Sequence, residues 1–202
     1  MTYEANKAIV ESREILSSIE RVFADIWDST KHALKVASQT QGYVSSVTIT
    51  RPNDTNIYAA KDAIGSATAA GGAVLTFANI GRIGEMLITS VAIEIDVTAI
   101  PAGMTSFDLH LYSVTPPSDL GDNGAWDLAV ADRASYLGKI ILGTPVDEVS
   151  TLYVEQHSNP GVNLPKQVTL ASTSLFAYLV TVGGYTPTAL AVKKITLHAI
   201  EA

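Results

Sequence analysis

The period of the hydrophobic pattern changes once along this chain, near Gly42. Before this point, residues 4–37 place apolar side chains at helical spacing, whereas residues 45–202 form short runs in which apolar and polar residues alternate. A period near 3.6 indicates an amphipathic helix, and a period of two is typical of half-buried β-strands. The sequence therefore predicts two units, an N-terminal helical arm at residues 1–42 and a β-sandwich body at residues 43–202.

The predicted arm has an apolar stripe that is too wide for a simple two-stranded coiled coil. In heptads counted from Ile9, the a and d positions are most apolar between Leu16 and Ile26, and neighbouring positions add further apolar residues. Such a stripe is typical of a helix that packs in a bundle or on a second surface. The residues that we expect at an oligomer or capsid-docking interface are Leu16, Ile19, Phe23, Ile26 and Trp27.

The sequence leaves three partners open for this arm. It could cover one face of its own β-body, form a homo-oligomeric bundle, for which a trimer is the favoured number, or dock on another protein. A polar run, Ser38–Gly42, follows the arm and ends in a helix-stopping glycine. A joint of this kind suits an arm that reaches away from the body.

The body contains eight to ten predicted strands separated by Gly, Pro, Asn and Asp turns. In the clearest of them, Phe107, Leu109 and Leu111 alternate with a more polar set, so we expect one dry face and one wet face. Connections such as residues 116–131 and 156–165 are too long for tight hairpins and suit strands that cross between two sheets. The predicted fold class is mainly β, a jelly-roll-like antiparallel β-sandwich with an N-terminal amphipathic α-helix. The predicted strands are 47–51, 57–58, 74–77, 91–97, 107–112, 137–142, 152–155, 167–170, 175–182 and 192–199.

Composition narrows the classes of function. The formal net charge is −7, and the body has fourteen acidic residues against eight basic ones, without a stripe of Lys and Arg. We therefore expect no nucleic-acid partner. Only 16% of the residues are charged, whereas 20 Thr and 17 Ser supply a neutral polar surface. Hydroxyl groups cost less to desolvate than ions do, so this surface suits burial against a protein partner.

The sequence shows neither cysteines for crosslinking nor the features of a signal peptide or a membrane span. The chain has no cysteine, which rules out disulfides and thiolate metal sites. The N-terminal residues lack the basic and apolar regions of a signal peptide, and no apolar run has the length of a membrane span. From the sequence we expect no membrane partner.

Candidate chemistry is sparse. None of the four histidines has the spacing of a metal motif, and His110 and His198 fall in strand patterns, where a packed or wet-face histidine is expected. Asp119, Asp122 and Asn123 lie in a glycine-bearing loop without calcium-loop spacing, so we expect a solvated turn. No nucleophile elbow or phosphate-binding loop is present. The sequence predicts no enzyme, no cofactor and no metal.

Aromatic residues leave one binding hypothesis open. Trp126 and five tyrosines could line a sugar-binding face, although in a sandwich such residues more often pack in the core or at its rim. The tyrosines are Tyr112, Tyr136, Tyr153, Tyr178 and Tyr185.

Several blocks of the body resemble virion structural proteins of tailed bacteriophages. They are Thr50–Gly65, Leu75–Gly81, Ile100–Phe107, Ala125–Leu128, Leu175–Thr181 and Tyr185–Thr188, and the similarity spans about residues 50–202. No catalytic motif belongs to these blocks, so no functional residue follows from them.

The resemblance implies a capsid decoration or cement protein that binds the outside of an assembled phage head. The implied partners are the major capsid protein and further copies of the chain, with a homotrimer expected, in a virion assembled in the host cytoplasm. The alternative is a neck, tail or fibre-associated β-module, for which a glycan is the candidate ligand.

Overall fold

The computed structural model describes Trp27–Asp28, Ala33–Leu34 and residues 41–202. The chain divides into two units, Met1–Thr40 and Gln41–Ala202. In the first unit, β1 (Trp27–Asp28) pairs antiparallel with β2 (Ala33–Leu34). The other residues of 1–40 lie outside the described residues, and the N-terminal helix stays a prediction.

The second unit is built from eleven described strands and two short 3-10 turns, at Val130–Asp132 and Pro160–Val162. In chain order the strands are β3 (Gly42–Thr50), β4 (Ala63–Ile64), β5 (Leu75–Phe77), β6 (Gly84–Ile95), β7 (Phe107–Tyr112), β8 (Tyr136–Leu142), β9 (Val146–Asp147), β10 (Leu152–Gln156), β11 (Lys166–Leu170), β12 (Leu175–Thr181) and β13 (Val192–Glu201). The predicted strand at Ile57–Tyr58 is wrong, because Tyr58 forms only an isolated bridge to Tyr185.

These strands form two antiparallel sheets. In the first sheet, β13 lies between β3 and β6, and the other edge of β6 pairs with β11 along Gly84–Ile88 and with β10 along Val91–Ile95. β9 extends the sheet beyond β10. In the second sheet, β12 lies between β7 and the short strands β4 and β5, and β8 forms the edge next to β7.

The order of the strands is that of a jelly roll. If β4 and β5 count as one interrupted strand, β10 and β11 count as another, and β9 is an added edge strand, then eight main strands remain. Strands that are consecutive in the chain lie in different sheets, with one exception. Only the connection from β7 to β8 stays within one sheet. Two four-stranded sheets linked in this manner are the jelly-roll architecture. The predicted jelly-roll-like antiparallel sandwich is therefore confirmed for residues 41–202.

The main hydrophobic core lies between the two sheets. Its side chains come from the inward positions of both sheets, at every second residue, as the alternation predicted. Burying one such aliphatic side chain contributes about 1.5–3 kcal/mol, so this core supplies most of the folding energy. Central members are Ile49, Ile93, Leu109, Leu111, Ile140, Leu179, Ile195 and Leu197.

Two basic side chains are buried at one end of this core. Arg51 and Lys193 are each 1% exposed and share the inward parity of Ile49 and Ile195. The Arg51 Nε atom donates to the Tyr58 hydroxyl at 3.0 Å, and that hydroxyl donates to Asp122 Oδ1 at 2.5 Å. Burial and the nearby Arg51 cation lower the pKa of Lys193 to about 8.

The expected wet face of β7 is not wet. Asp108 is half-buried, and His110 and Tyr112 are buried, because residues 113–135 fold back over this side of the second sheet. The expected solvated turn is also wrong at Asp122, which is buried and accepts hydrogen bonds from Tyr58 and from the Gly65 N–H. The periodic pattern missed both results because the covering segment has no period of its own.

Candidate functional site

The side of the second sheet that faces away from the core collects polar and aromatic side chains. Strand register places them together, since residues paired across antiparallel strands share a face. His110 pairs with Tyr178 on one side and with Lys139 on the other. We call this surface the covered face. Its members are Asp108, His110, Tyr112, Tyr136, Lys139, Phe176, Tyr178 and Val180.

A β-bulge puts Tyr136 on the covered face. The register between β7 and β8 shifts between Leu111 and Tyr112, so that Leu111 pairs with Gly138 and Tyr112 pairs with Tyr136. Without the extra residue, Leu137, strict alternation from Lys139 would turn Tyr136 towards the core. Leu137 packs against the main core instead.

Residues 113–135, which we call the cover loop, lie over this face. Backbone hydrogen bonds tie the loop to β4 and to the turn before β4. Ala63 N–H donates to the Gly124 carbonyl at 2.8 Å, and Trp126 N–H donates to the Lys61 carbonyl at 2.8 Å. Gly121 allows the loop to approach closely, because a Cβ at this position would lie 2.2 Å from the Thr68 carbonyl oxygen.

Two tyrosine hydroxyls of the sheet hold the loop from below. The Tyr178 hydroxyl accepts from Leu120 N–H at 3.0 Å and lies 3.2 Å from Ser118 Oγ. The Tyr112 hydroxyl accepts from Trp126 Nε1 at 3.0 Å. Burial raises the pKa of Tyr112, so its hydroxyl stays neutral.

His110 is packed among aromatic rings. Its ring centroid lies 3.6 Å from that of Trp126, and its Nδ1 atom lies 3.0 Å from the Tyr136 hydroxyl. Burial lowers the pKa of His110 to about 4, with Lys139 lowering it further and Asp108 opposing the shift. The imidazole is therefore neutral at physiological pH. The prediction of a packed or wet-face histidine is confirmed in its packed form.

An open cleft of about 380 Å³ lies where the cover loop ends above the sheet edge. Trp126, His110 and Tyr136 supply its aromatic wall. Lys61 and Lys139 supply cations, and Lys139 Nζ forms an ion pair with Asp108 Oδ2 at 2.6 Å. Lys61 has a backbone φ of 69°, a left-handed conformation in which a side chain is strained.

A second cleft of about 690 Å³ shares Tyr136 and Lys139 with the first. It lies between β8 and β11, and its other lining residues include Asn163, Lys166 and Gln167. We call the two clefts together the groove. Gly138 makes room in it, because a Cβ there would lie 2.9 Å from Lys166 Nζ. Burial lowers the pKa of Lys166.

The groove offers binding groups: flat aromatic rings, cationic side chains and amides. Among the described residues, no group of three or more His, Asp or Glu side chains is placed to hold a metal ion. Over the same residues, no helix has the length and apolarity to cross a membrane.

The predicted arm residues Leu16, Ile19, Phe23 and Ile26 lie outside the described residues, and for Trp27 only the strand pairing of β1 is described. The structure brings together Tyr112, Tyr136, Tyr178 and Trp126, four of the six aromatic residues that the sequence proposed for a face. Tyr185 packs in the main core, and Tyr153 lies on the first sheet. The groove is also lined by charged residues that no sequence motif marks: Lys61, Asp108, Lys139 and Lys166.

The outer side of the first sheet is of a different kind. Outward positions of β3 and β13 carry small hydroxyl residues, and Ser46 Oγ lies 2.8 Å from Thr196 Oγ1 across the two strands. The charged residues at the outward positions of β10, β13 and the paired part of β6 are Glu94, Glu155 and Lys194, and Lys194 Nζ is paired with Glu94 Oε1 at 3.4 Å. We call this surface the open face. It includes Val44, Ser46, Thr48, Thr50, Ala92, Glu94, Tyr153, Lys194, Thr196 and His198.

Comparisons with known proteins give structural likeness without sequence relatives. No family model and no curated protein matches the sequence. Among solved structures, the chain is similar to the capsid of Ralstonia phage GP4, at 12% identity and a TM-score of 0.41, over 84% of this chain and 89% of that one. It is similar to the cyanophage Pam1 capsid asymmetric unit, at 12% identity and a TM-score of 0.34, over 87% and 97%.

A bacterial lipoprotein from Bacteroides thetaiotaomicron is similar at 12% identity and a TM-score of 0.34, over 84% of this chain and 91% of that one. All three TM-scores lie below 0.5, so these likenesses carry no argument about function.

Proposed function

We propose that this protein is a structural component of a tailed-phage virion, a capsid decoration or cement protein that binds the outside of the assembled head. The open face is the observation that carries the proposal. It presents a broad, low-charge, hydroxyl-rich sheet surface on a closed jelly roll. Burying such a surface costs little desolvation. The resemblance of residues 50–202 to phage virion proteins supports the same conclusion, and jelly rolls are common in viral capsids.

The mechanism is thermodynamic rather than chemical. A protein that binds only the assembled shell stabilises the assembled state by mass action. Many copies on one shell add their contacts, so each contact can be weak. The proposed partner is the major capsid protein, and the proposed place of assembly is the host cytoplasm.

Copy number tests this location. Quantitative mass spectrometry of purified virions should give hundreds of copies of the chain for each particle. A dozen copies or fewer would overturn the decoration proposal in favour of a neck, tail or fibre protein. Absence from the virion would overturn both.

Charge placed on the open face tests the docking surface. We expect Thr48→Glu to weaken binding to heads that lack the protein by at least about tenfold, because an unpaired carboxylate would be buried at the contact. Val130→Glu, on the exposed cover loop, is the matched control and should bind as the wild type does. Equal binding of Thr48→Glu and the wild type would exclude the open face as the docking surface.

We also propose that Leu16, Ile19, Phe23, Ile26 and Trp27 form an oligomer or capsid-docking interface, with a homotrimer as the expected assembly. Analytical ultracentrifugation of the full chain should give a trimer. A Leu16→Glu and Phe23→Glu double variant should sediment as a monomer, because it places two charges in the apolar stripe. If the wild-type chain is a monomer and binds heads in that state, the proposed homotrimer is wrong.

A further inference from the structure

The basic residues of the second unit are unevenly placed. Residues 41–202 contain eight Lys and Arg residues against fourteen Asp and Glu residues. Arg51 and Lys193 are buried, whereas Lys61, Lys139 and Lys166 all line the groove. Asp108 is the one acidic residue among the groove's lining residues. On an otherwise acidic body, the groove is therefore a local cationic surface that attracts anions.

Two of these cations have no ion-pair partner within the described residues. Lys139 is paired with Asp108 at 2.6 Å, but neither Lys61 nor Lys166 has a carboxylate within 4.0 Å in that part of the chain. Lys166 is half-buried, and burial lowers its pKa because the charged form loses water. An anionic ligand that entered the groove would return a counter-charge to this ammonium group.

Aromatic and amide side chains line the groove together with these cations. Trp126 and Tyr136 form one wall, held in place by the packed His110 ring and by the hydrogen bond from Trp126 to Tyr112. Asn163 and Gln167 line the second cleft. Asn163 Nδ2 donates to the Lys139 carbonyl at 3.2 Å and Gln167 Nε2 donates to Glu85 Oε2 at 3.0 Å, so the amide oxygens are the groups that these side chains offer to a ligand. A flat ring beside hydrogen-bonding amides suits a ligand with one apolar face and many hydroxyl groups.

The dimensions suit an extended ligand. Each cleft lies within the range of about 300–1,000 Å³ that is common for small-molecule sites, and the two meet at Tyr136 and Lys139. We propose that the groove binds an acidic oligosaccharide, whose sugar rings lie against Trp126 and Tyr136 and whose carboxylates reach Lys61 and Lys166. This proposal does not depend on the virion location.

The test uses the full chain and a defined probe. Isothermal titration calorimetry with tetragalacturonate should show binding, and the fully methyl-esterified tetrasaccharide of the same length should bind at least about tenfold more weakly. Affinity for the acidic probe should fall as salt rises, because exposed ion pairs are screened. Equal binding of both probes would overturn the acidic part of the proposal, and no binding of tetragalacturonate at millimolar concentration would overturn the whole.

Variants place the ligand in the groove. We expect Lys166→Met and Lys61→Met each to weaken tetragalacturonate binding by about tenfold, and Trp126→Ala to abolish it. Lys194→Met, which removes an exposed lysine of the open face, is the matched control. If Trp126→Ala fails to fold, Lys61→Met still decides, since Lys61 is exposed. Binding that survives both lysine variants would overturn the site. Single-stranded DNA would bind equally tightly only if the groove recognises any polyanion. Binding of that strength that is lost in Lys166→Met would therefore overturn the oligosaccharide as the specific ligand.

Discussion

The outer sides of the two sheets differ in solvent exposure. The open face of the first sheet keeps the alternation of a half-buried sheet, with Thr48 and Lys194 in solvent. The second sheet is buried on both sides, because the main core lies on its inner side and the cover loop packs on Tyr112 and Tyr178 of its covered face. One sheet thus has a surface available for docking, whereas the other uses its outer residues to hold a loop and to shape a groove. Both surfaces arise from the same β alternation. They differ because the connection of 23 residues between β7 and β8 covers the outer side of the second sheet alone.

Truncating one tyrosine on each face should give the largest difference. Tyr112→Ala should lower the free energy of unfolding by about 4 kcal/mol, because it removes a buried ring under the loop. Tyr153→Ala on the open face should change the free energy of unfolding by less than about 0.5 kcal/mol. Chemical denaturation of both variants measures this contrast, and similar losses would mean that the two faces are equally packed.

Neighbouring lysines of β13 compare the interior with the open face. Lys193 has a pKa lowered to about 8. The unfolded chain then binds its proton more tightly, so wild-type stability should rise as pH increases from about 8 to 10.5. Lys193→Met should be more stable at pH 7 by roughly 3 kcal/mol and should lack that rise.

The control for this experiment is Lys194→Met, whose exposed side chain is replaced without loss of burial. It should keep the wild-type rise between pH 8 and 10.5, as measured by thermal denaturation at several pH values. A Lys193→Met variant that is less stable than the wild type at pH 7 would contradict the expected cost of the buried cation.

Histidines provide the same comparison in acid. The pKa of His110 is lowered to about 4, so the unfolded chain takes up a proton first as pH falls below about 6.5. The His110 contribution is present above pH 6.5 and should be lost between pH 6.5 and 4, at a cost of roughly 3 kcal/mol. His110→Gln should show a shallower loss over this window, whereas His198→Gln on the open face should follow the wild type. Identical acid profiles for all three proteins would mean that His110 is solvated.

Removing a single hydroxyl should give the smallest difference. Tyr178→Phe leaves Leu120 N–H and Ser118 without their partner and should lower the free energy of unfolding by about 1–2 kcal/mol. Tyr153→Phe loses only an exposed bond to Glu155 and should be neutral. Hydrogen exchange should also show faster exchange in the cover loop of Tyr178→Phe, and unchanged exchange there would mean that this hydroxyl does not anchor the loop.

Much of the fold could be predicted from short-range pattern. The predicted strands 107–112 and 192–199 fall on β7 and β13, because their inward residues alternate. The long connections indicated strands that cross between sheets. The same parity places Arg51 and Lys193 on the inward side, so the sequence carries a signal for both buried cations. β4 and β9 were missed because two residues give no period.

The sequence by itself determined the class of this body, an antiparallel sandwich with a low-charge surface, because alternation and composition are local properties. Only the tertiary structure decided which outer face stays open. Asp108, His110 and Tyr112 have the pattern of a wet face, and their burial depends on a loop whose backbone is fixed by distant partners such as Ala63 and Tyr178. The groove also depends on the tertiary structure. A bulge turns Tyr136 outward, and β11 places Lys166 beside β8.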